Sequence, residues 1–159
     1  MRKFLVVAFA LLVSGSVALA QNKIDTKWHC PKPPTAQKFD VGDVADHVYE
    51  IDQGTCSATS SDPGFPEKTG SFTEFHEAWK ASINLHGRFN ATMDNGDKIY
   101  YTYAASVSTD ISKPAANKWK IVGGTGKYKG IRGSGTCSGK YNADGSGDWS
   151  CTGTYTMGK

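Results

Sequence analysis

The glycine-rich segment 120–135 has the residue types of a phosphate-binding loop. Its sequence, KIVGGTGKYKGIRGSG, holds six glycines in sixteen residues. A P-loop requires GxxxxGK[ST], but Tyr128 follows Gly126 and Lys127, and Ile121 stands where the first glycine is needed. A dinucleotide-binding GxGxxG motif would need its third glycine at Lys129 and a helix after it. The spacing therefore argues against phosphate binding.

Two other interpretations of this segment remain. A flexible linker is disfavoured because large apolar side chains, including Trp119, Tyr128 and Ile131, interrupt the glycines. A sharp corner of a β-barrel fits better, since glycine permits tight reversals and close approach of strands. We assign this structural role to Gly123, Gly124, Gly126, Gly130, Gly133 and Gly135.

The histidines are the candidates for acid–base or metal chemistry. A zinc site built from His29, Cys30, His47 and Cys56 would match no zinc-binding spacing, and the cysteines are better explained as a disulfide. His47 could point inward from its strand, although a lone histidine without an orienting partner more often caps a strand end. His76 lies where we expect a β-bulge, and bulges can aim functional side chains. We predict no metal and no cofactor, and we assign no catalytic residue.

Residues 1–20 have the pattern of a secretory signal peptide. Arg2 and Lys3 precede an apolar run at 4–13, and Ala18-Leu19-Ala20 forms a cleavage site before Gln21. The run is too short to span a bilayer. We expect a mature chain, 21–159, that is exported to the periplasm or the medium and has no membrane span. Its 16 basic and 15 acidic residues are nearly balanced, which argues against nucleic-acid binding.

Alternating apolar and polar residues predict an all-β chain. From Trp79 to Met93 the apolar residues take the odd positions, which predicts one long strand. Because Phe72 has the opposite parity, we expect a bulge between residues 73 and 77. Asn95-Gly96 then predicts a tight hairpin. The return strand, 98–107, buries most apolar surface with Ile99, Tyr101 and Tyr103 facing inward.

The remaining segments complete the predicted architecture. Further strands are expected at 47–60 (interrupted at Gly54), 118–122, 131–141 and 148–157, with loops at 61–70 and 108–117. About eight consecutive strands favour a closed antiparallel barrel, which leaves no sheet edge exposed. The expected division is a signal peptide, 1–20, a Pro-rich extension, 21–45, and a barrel domain, 46–159.

The four cysteines are expected to form two disulfides, as an even number in an exported chain suggests. Strands 131–141 and 148–157 pair around a loop centred near residue 144, which places Cys137 opposite Cys151. Cys30 and Cys56 are then paired by elimination. The same register sets Trp149 across from a glycine, so that a large ring fills the curved inner face without overpacking.

The glycine-rich segment, from Trp119 to Gly135, resembles the hallmark of the allene oxide cyclase and dirigent barrel superfamily. Secreted bacterial members share the pattern GGTGxYxGxxGxG, and the segments 95–100 and 153–155 are also similar to the family. The resemblance covers about residues 47–155. It implies an eight-stranded antiparallel barrel with a central cavity, often assembled into dimers or trimers. Plant members act as isomerases or stereochemical guides, but their catalytic residues have no matching motif here, so the resemblance carries the fold and not the activity.

We predict a non-enzymatic barrel that binds a small apolar or aromatic molecule in its interior, or a partner at its surface. The reason is that the best-phased strands offer no acid–base pair on their inner face. The alternatives are an isomerase, cyclase or stereo-directing protein acting in the cavity, and a structural or protein-binding secreted module. The same rings could instead simply fill a small barrel. The candidate ligand-binding residues are His47, Tyr49, Phe89, Tyr101, Tyr103, Trp149 and Tyr155.

The disulfide assignment predicts a stability effect. Replacing Cys137 and Cys151 by serine should lower the free energy of unfolding by about 2–4 kcal/mol, because the cross-link closes a short loop in the unfolded chain. Urea unfolding of the variant and the parent measures this difference. A midpoint that does not move would contradict the prediction.

Overall fold

The computed structural model describes residues 21–158, and the predicted signal peptide lies outside them. These residues form nine strands and a 3₁₀ turn at Gly126–Tyr128. No helix in residues 21–158 is long and apolar enough to cross a membrane. The strands are β1 (Asn22–Cys30), β2 (Thr35–Asp40), β3 (Val48–Ser61), β4 (Glu67–Ala78), β5 (Ser82–Met93), β6 (Lys98–Ser108), β7 (Ala115–Gly124), β8 (Arg132–Tyr141) and β9 (Gly147–Thr156).

Eight of these strands close into an antiparallel barrel, which confirms the predicted fold class. The order is β1-β9-β8-β7-β6-β5-β4-β3, and β3 pairs with β1 to complete the ring. Both predicted disulfides, Cys30–Cys56 and Cys137–Cys151, are present. The register that places Cys137 opposite Cys151 is confirmed. The two disulfides fit an exported protein.

Several predicted strands need correction. Residues 79–93 do not form one strand, because Trp79 and Ser82 exchange backbone hydrogen bonds across a tight reversal and β5 starts at Ser82. Because the chain reverses here, the inward residues are even-numbered in β4, as at Phe72, and odd-numbered in β5. The predicted bulge at 73–77 is therefore not needed, and the β4–β5 register shifts instead between Glu67 and Thr69. β3 runs through Gly54 without interruption. Strand β4 begins within the predicted loop 61–70, and β7 begins within the predicted loop 108–117.

The first two strands are not anticipated by the sequence analysis, which places them in an extension. β1 is a full member of the barrel, paired along its length with β9 and at its end with β3. Pro31, Pro33 and Pro34 follow it, and proline has no N–H to continue a hydrogen-bonded ladder. After these prolines, β2 pairs with β3, whereas the pairing with β9 ends at Cys30 in β1. The wall is therefore incomplete at this end.

The two ends of the barrel differ. We call the end that holds the β3–β4, β5–β6 and β7–β8 connections the plugged end, because the large side chains there have almost no exposed surface. They are Phe65, Met93, Ile99, Tyr128 and Ile131. The opposite end, with the β2–β3, β4–β5, β6–β7 and β8–β9 connections, we call the open end. Its inner residues are only partly covered, as at His76 and Glu74, whose side chains are each 14% exposed.

The glycine-rich segment forms a corner at the plugged end. Gly126 and Gly130 have φ of 49° and 79°, the left-handed region that favours glycine. The corner rests on the Asn95-Gly96 turn, where the Asp97 carboxylate accepts hydrogen bonds from Asn95 Nδ2 and from the Lys127 amide, at 2.8 and 3.1 Å. The segment therefore joins two turns rather than forming a ligand loop.

Large inward rings lie across glycines of the neighbouring strand. A Cβ atom at Gly70 would overlap the Phe89 ring, and one at Gly87 would come within 2.5 Å of Tyr103 Cζ. Trp119 spans both Gly135 and Gly153 in the same way. The absence of these Cβ atoms lets a narrow barrel hold a full layer of rings.

Substitution of Gly135 by alanine tests this packing. Its Cβ would overlap both the carbonyl oxygen of Thr152 and the indole of Trp119, so either the backbone or the ring must move. We expect a loss of about 1–3 kcal/mol in the free energy of unfolding, as for other overpacked cores. Gly123→Ala is the matched control, since its Cβ would meet Tyr100 Cδ2 at an ordinary 3.7 Å. Equal urea midpoints for the two variants would contradict the account.

Candidate functional site

Four ionisable side chains meet on the inner wall at the open end. Glu50 and Asp52 alternate along β3, and Glu74 and His76 alternate along β4. The register pairs Glu50 with His76 and Asp52 with Glu74. Because alternate residues of a strand share a face, all four project from the face that also carries the buried Cys56. We call these four residues the quartet.

His76 lies between the carboxylates of Glu74 and Asp52. Its Nε2 is 2.5 Å from Glu74 Oε1, a short hydrogen bond, and its Nδ1 is 3.8 Å from Asp52 Oδ2. Asp52 is 7% exposed, and within residues 21–158 its Oδ1 has no hydrogen-bond partner. A buried oxygen without a partner is unusual in a folded protein and needs an explanation.

The environment raises the pKa values of Asp52 and His76. Burial, with the neighbouring Glu50 carboxylate second, raises the pKa of Asp52 to about 6. Burial alone would lower the pKa of His76, but its hydrogen bond to Glu74 and the surrounding negative charges outweigh burial and raise it. The quartet thus holds closely spaced acidic groups that favour a nearby positive charge.

Aromatic residues complete the inner wall around the quartet. Burial, followed by the charge of Glu74, raises the pKa of Tyr103 well above its usual value. Burial, with smaller effects from Glu74 and Asp52, raises the pKa of Tyr141 to about 12, so both phenols stay protonated and can donate hydrogen bonds. Tyr141 packs edge-on against Trp149, with ring centroids 5.5 Å apart. The site therefore combines aromatic surface with donors and acceptors.

The predicted ligand-binding residues do not form one site. Tyr103 and Trp149 lie at the open end, Phe89 lies in the middle, and Tyr101 and Tyr155 are buried toward the plugged end. The expectation that Tyr49 faces inward is wrong for this fold, because β3 turns its even-numbered residues inward and Tyr49 is 36% exposed on the outer face.

His47 also lies away from the barrel interior. Its ring stacks on Trp79, its Nδ1 is 2.7 Å from Asp43, and its Nε2 is 3.3 Å from Glu77. It fastens the connection between β2 and β3 to the end of β4, which agrees with the capping alternative rather than with ligand binding. The zinc alternative fails as well, because Cys30 and Cys56 are bonded to each other.

His76 is the one quartet residue among the sequence-based candidates, and the three carboxylates, Glu50, Asp52 and Glu74, are missing from them for an identifiable reason. The alternation of apolar and polar residues along a strand is interpreted with the polar side chains facing solvent. For β3 this rule predicts that Glu50 and Asp52 point outward and Ile51 points inward. In the structure Ile51 is the exposed residue, at 40%. The predicted Cys30–Cys56 disulfide could have indicated the inward face of β3. It turns Cys56 inward, and Asp52, four residues before it, lies on the same face of the strand.

A second buried carboxyl group, Glu67, lies at the plugged end and has a structural role. Thr26 Oγ1 and Tyr101 Oη donate hydrogen bonds to its two oxygens at 2.7 and 2.6 Å. These contacts join β1, β4 and β6 across the interior. Burial raises the pKa of Glu67 to about 7 despite both hydrogen bonds.

Comparisons with known proteins support the fold and leave the activity open. The sequence matches no protein-family model and no curated protein. Among solved structures, the chain is similar to the pterocarpan synthase dirigent protein GePTS1, with a TM-score of 0.52 and 14% identity over 97% of this chain and 98% of that one. At this identity the likeness shows a dirigent-like barrel fold.

The Glu67 environment predicts a pH dependence of stability. Because the folded pKa of about 7 exceeds the usual 4.5, the group stabilises the protein fully below pH 4.5 and loses that contribution as the pH rises through 7. The loss corresponds to about 3 kcal/mol. Glu67→Gln should remove this part of the slope in urea unfolding between pH 4.5 and 8, whereas Asp40→Asn, at an exposed position on β2, should not. If the free energy of unfolding changes with pH equally in Glu67→Gln and in the parent, the assignment is contradicted.

Proposed function

We propose that the protein binds a small aromatic molecule with hydroxyl or other polar groups at the open end of the barrel, and holds it in one orientation. The observation that supports this most strongly is the inward placement of Asp52, Glu74 and His76 beside the phenols of Tyr103 and Tyr141. Aromatic walls with a few convergent polar groups are typical of small-molecule sites.

The fold does not require ionisable groups at this position. Burying carboxylates costs free energy unless they are paired, and the same strands carry apolar or neutral residues toward the plugged end, as at Phe72 and Cys56. Departures from core patterning concentrate at functional sites. We infer that the quartet is kept for a ligand rather than for stability.

The quartet also changes the class of ligand expected. The strands with the clearest alternation carry no acid–base groups on their inner face, which favours an apolar ligand. Strands β3 and β4, however, supply such groups at the open end. A purely apolar molecule would leave several buried donors and acceptors unpaired, which costs affinity. A polar aromatic molecule can pack against the aromatic side chains and also form hydrogen bonds with the quartet.

A second candidate function is an isomerase, cyclase or stereo-directing activity on the bound molecule. It is favoured by His76, whose imidazole lies between two carboxylates and whose side chain is 14% exposed. The structural neighbour is named a pterocarpan synthase and a dirigent protein, which is compatible with such a role. Optically pure product formed from the identified ligand would distinguish this activity from binding alone.

The proposal is tested by finding and then perturbing the ligand. Protein purified from its own host is examined by native mass spectrometry for a co-purifying small mass. In parallel, phenols and their O-methyl ethers are titrated against the protein by ligand-observed NMR. We expect the phenols to bind more tightly than the ethers, because only phenols can donate to the quartet carboxylates.

Variants locate the binding site. Tyr103→Phe and Glu74→Gln should each weaken phenol binding by about tenfold, the effect of one lost hydrogen bond to a charged group. Tyr100→Phe removes a hydroxyl from the outer face of the same strand, β6, and is the matched control. Equal binding of phenols and ethers, or equal effects of the Tyr103 and Tyr100 substitutions, would count against the proposal.

A further inference from the structure

The quartet has an uncompensated charge. Among residues 21–158, the only ion-pair partner of its three carboxylates is His76, which lies near Asp52 and Glu74. Lys38 is paired with Glu50 across the β2–β3 ladder but forms no ion pair with it. Acidic groups gathered in a partly buried site, where within residues 21–158 no lysine or arginine forms an ion pair with them, favour a cationic ligand.

The donor atoms are arranged closely enough to share one ion. One ligand atom each from Glu50, Asp52 and His76 lies within 4.8 Å of the others. Metal–oxygen and metal–nitrogen bonds of about 2.0–2.2 Å place two ligand atoms of a tetrahedral site about 3.4 Å apart. Small side-chain rotations therefore suffice to bring the three groups around a cation.

The imidazole of His76 is oriented as metal-binding histidines are. Its Nε2–H donates to Glu74, which leaves the lone pair of Nδ1 directed toward the side of Asp52. A carboxylate that fixes the tautomer of a ligating histidine is a recurrent feature of metal sites.

Asp52 supplies an independent indication of a missing partner. It is 7% exposed, and its Oδ1 has no hydrogen-bond partner within the described chain, although it belongs to the group of converging donor atoms. A bound cation would satisfy this oxygen and remove the repulsion between the Asp52 and Glu50 carboxylates.

We propose that Glu50, Asp52 and His76 bind a divalent transition-metal cation, with Glu74 as the positioning residue for the imidazole. Two carboxylates and one neutral imidazole balance a double positive charge and suit Zn²⁺ or Mn²⁺ better than the all-oxygen sites of Ca²⁺. Three protein ligands leave a coordination position for water or for an oxygen atom of a bound molecule. The metal site goes beyond the proposed function and does not require the organic ligand.

The test uses the mature protein, treated with EDTA and dialysed, and Zn²⁺ and then Mn²⁺ as probes in isothermal titration calorimetry. We expect one ion per chain with a Kd in the micromolar range or below for at least one metal. Asp52→Asn and His76→Gln should weaken binding at least tenfold, and Glu74→Gln should weaken it about 10–100-fold, as for other residues that orient metal ligands.

His86→Gln is the matched control, because His86 lies on the outer face of β5 against Phe75 and its loss should leave the affinity unchanged. Near-ultraviolet circular dichroism shows that each variant is folded. The proposal is overturned if the parent binds neither metal at 1 mM, or if both Asp52→Asn and His76→Gln, folded, bind as the parent does. Phenol binding measured in EDTA separates this outcome from a failure of the proposed function.

Discussion

The structure depends on the pairing of inward aromatic rings with glycines of the adjacent strand. An eight-stranded barrel has room for little more than one layer of side chains, so a large ring packs best beside a neighbour without a Cβ atom. The glycine partner is close enough in each case that a Cβ would overlap the ring. The pairs are Phe72 with Gly54, Phe89 with Gly70, Tyr103 with Gly87, Trp119 with Gly135 and Gly153, and Trp149 with Gly139.

This packing also determines which part of the inner wall is least covered. The rings and the plugged end fill most of the interior, and the ladder is broken after β1 by prolines, so the inner wall is accessible mainly at the open end. One strand serves three purposes on its inner face: β3 carries Asp52 for the site, Gly54 for the Phe72 ring and Cys56 for a disulfide. The quartet is thus held by the same ladder that closes the barrel, and its geometry is fixed by the fold.

The sequence was sufficient for the barrel and both disulfides, because alternation and hairpin turns fix register locally and Cys137 pairs with Cys151 within one hairpin. It was insufficient where alternation and burial disagree. The quartet places polar residues inward, so a pattern that equates polar with exposed assigns β3 the wrong face. The missed strand β1 buries Thr26 between Ile24 and Trp28, where the hydroxyl is satisfied by a carboxyl group distant in sequence, Glu67. Such long-range polar pairs leave no local signal.

The central claim is that the inner face of β3 and β4 forms an ordered polar site. Long-range ¹H–¹⁵N spectra of the histidine side chains, recorded at a pH where the imidazoles are neutral, test it most directly. We expect Glu74 to hold His76 as the Nε2–H tautomer, and we expect the Nδ1 signal of His76 to shift when Zn²⁺ or a phenol is added while His86 does not respond. A His76 imidazole that exchanges between tautomers and responds to neither addition would contradict the account.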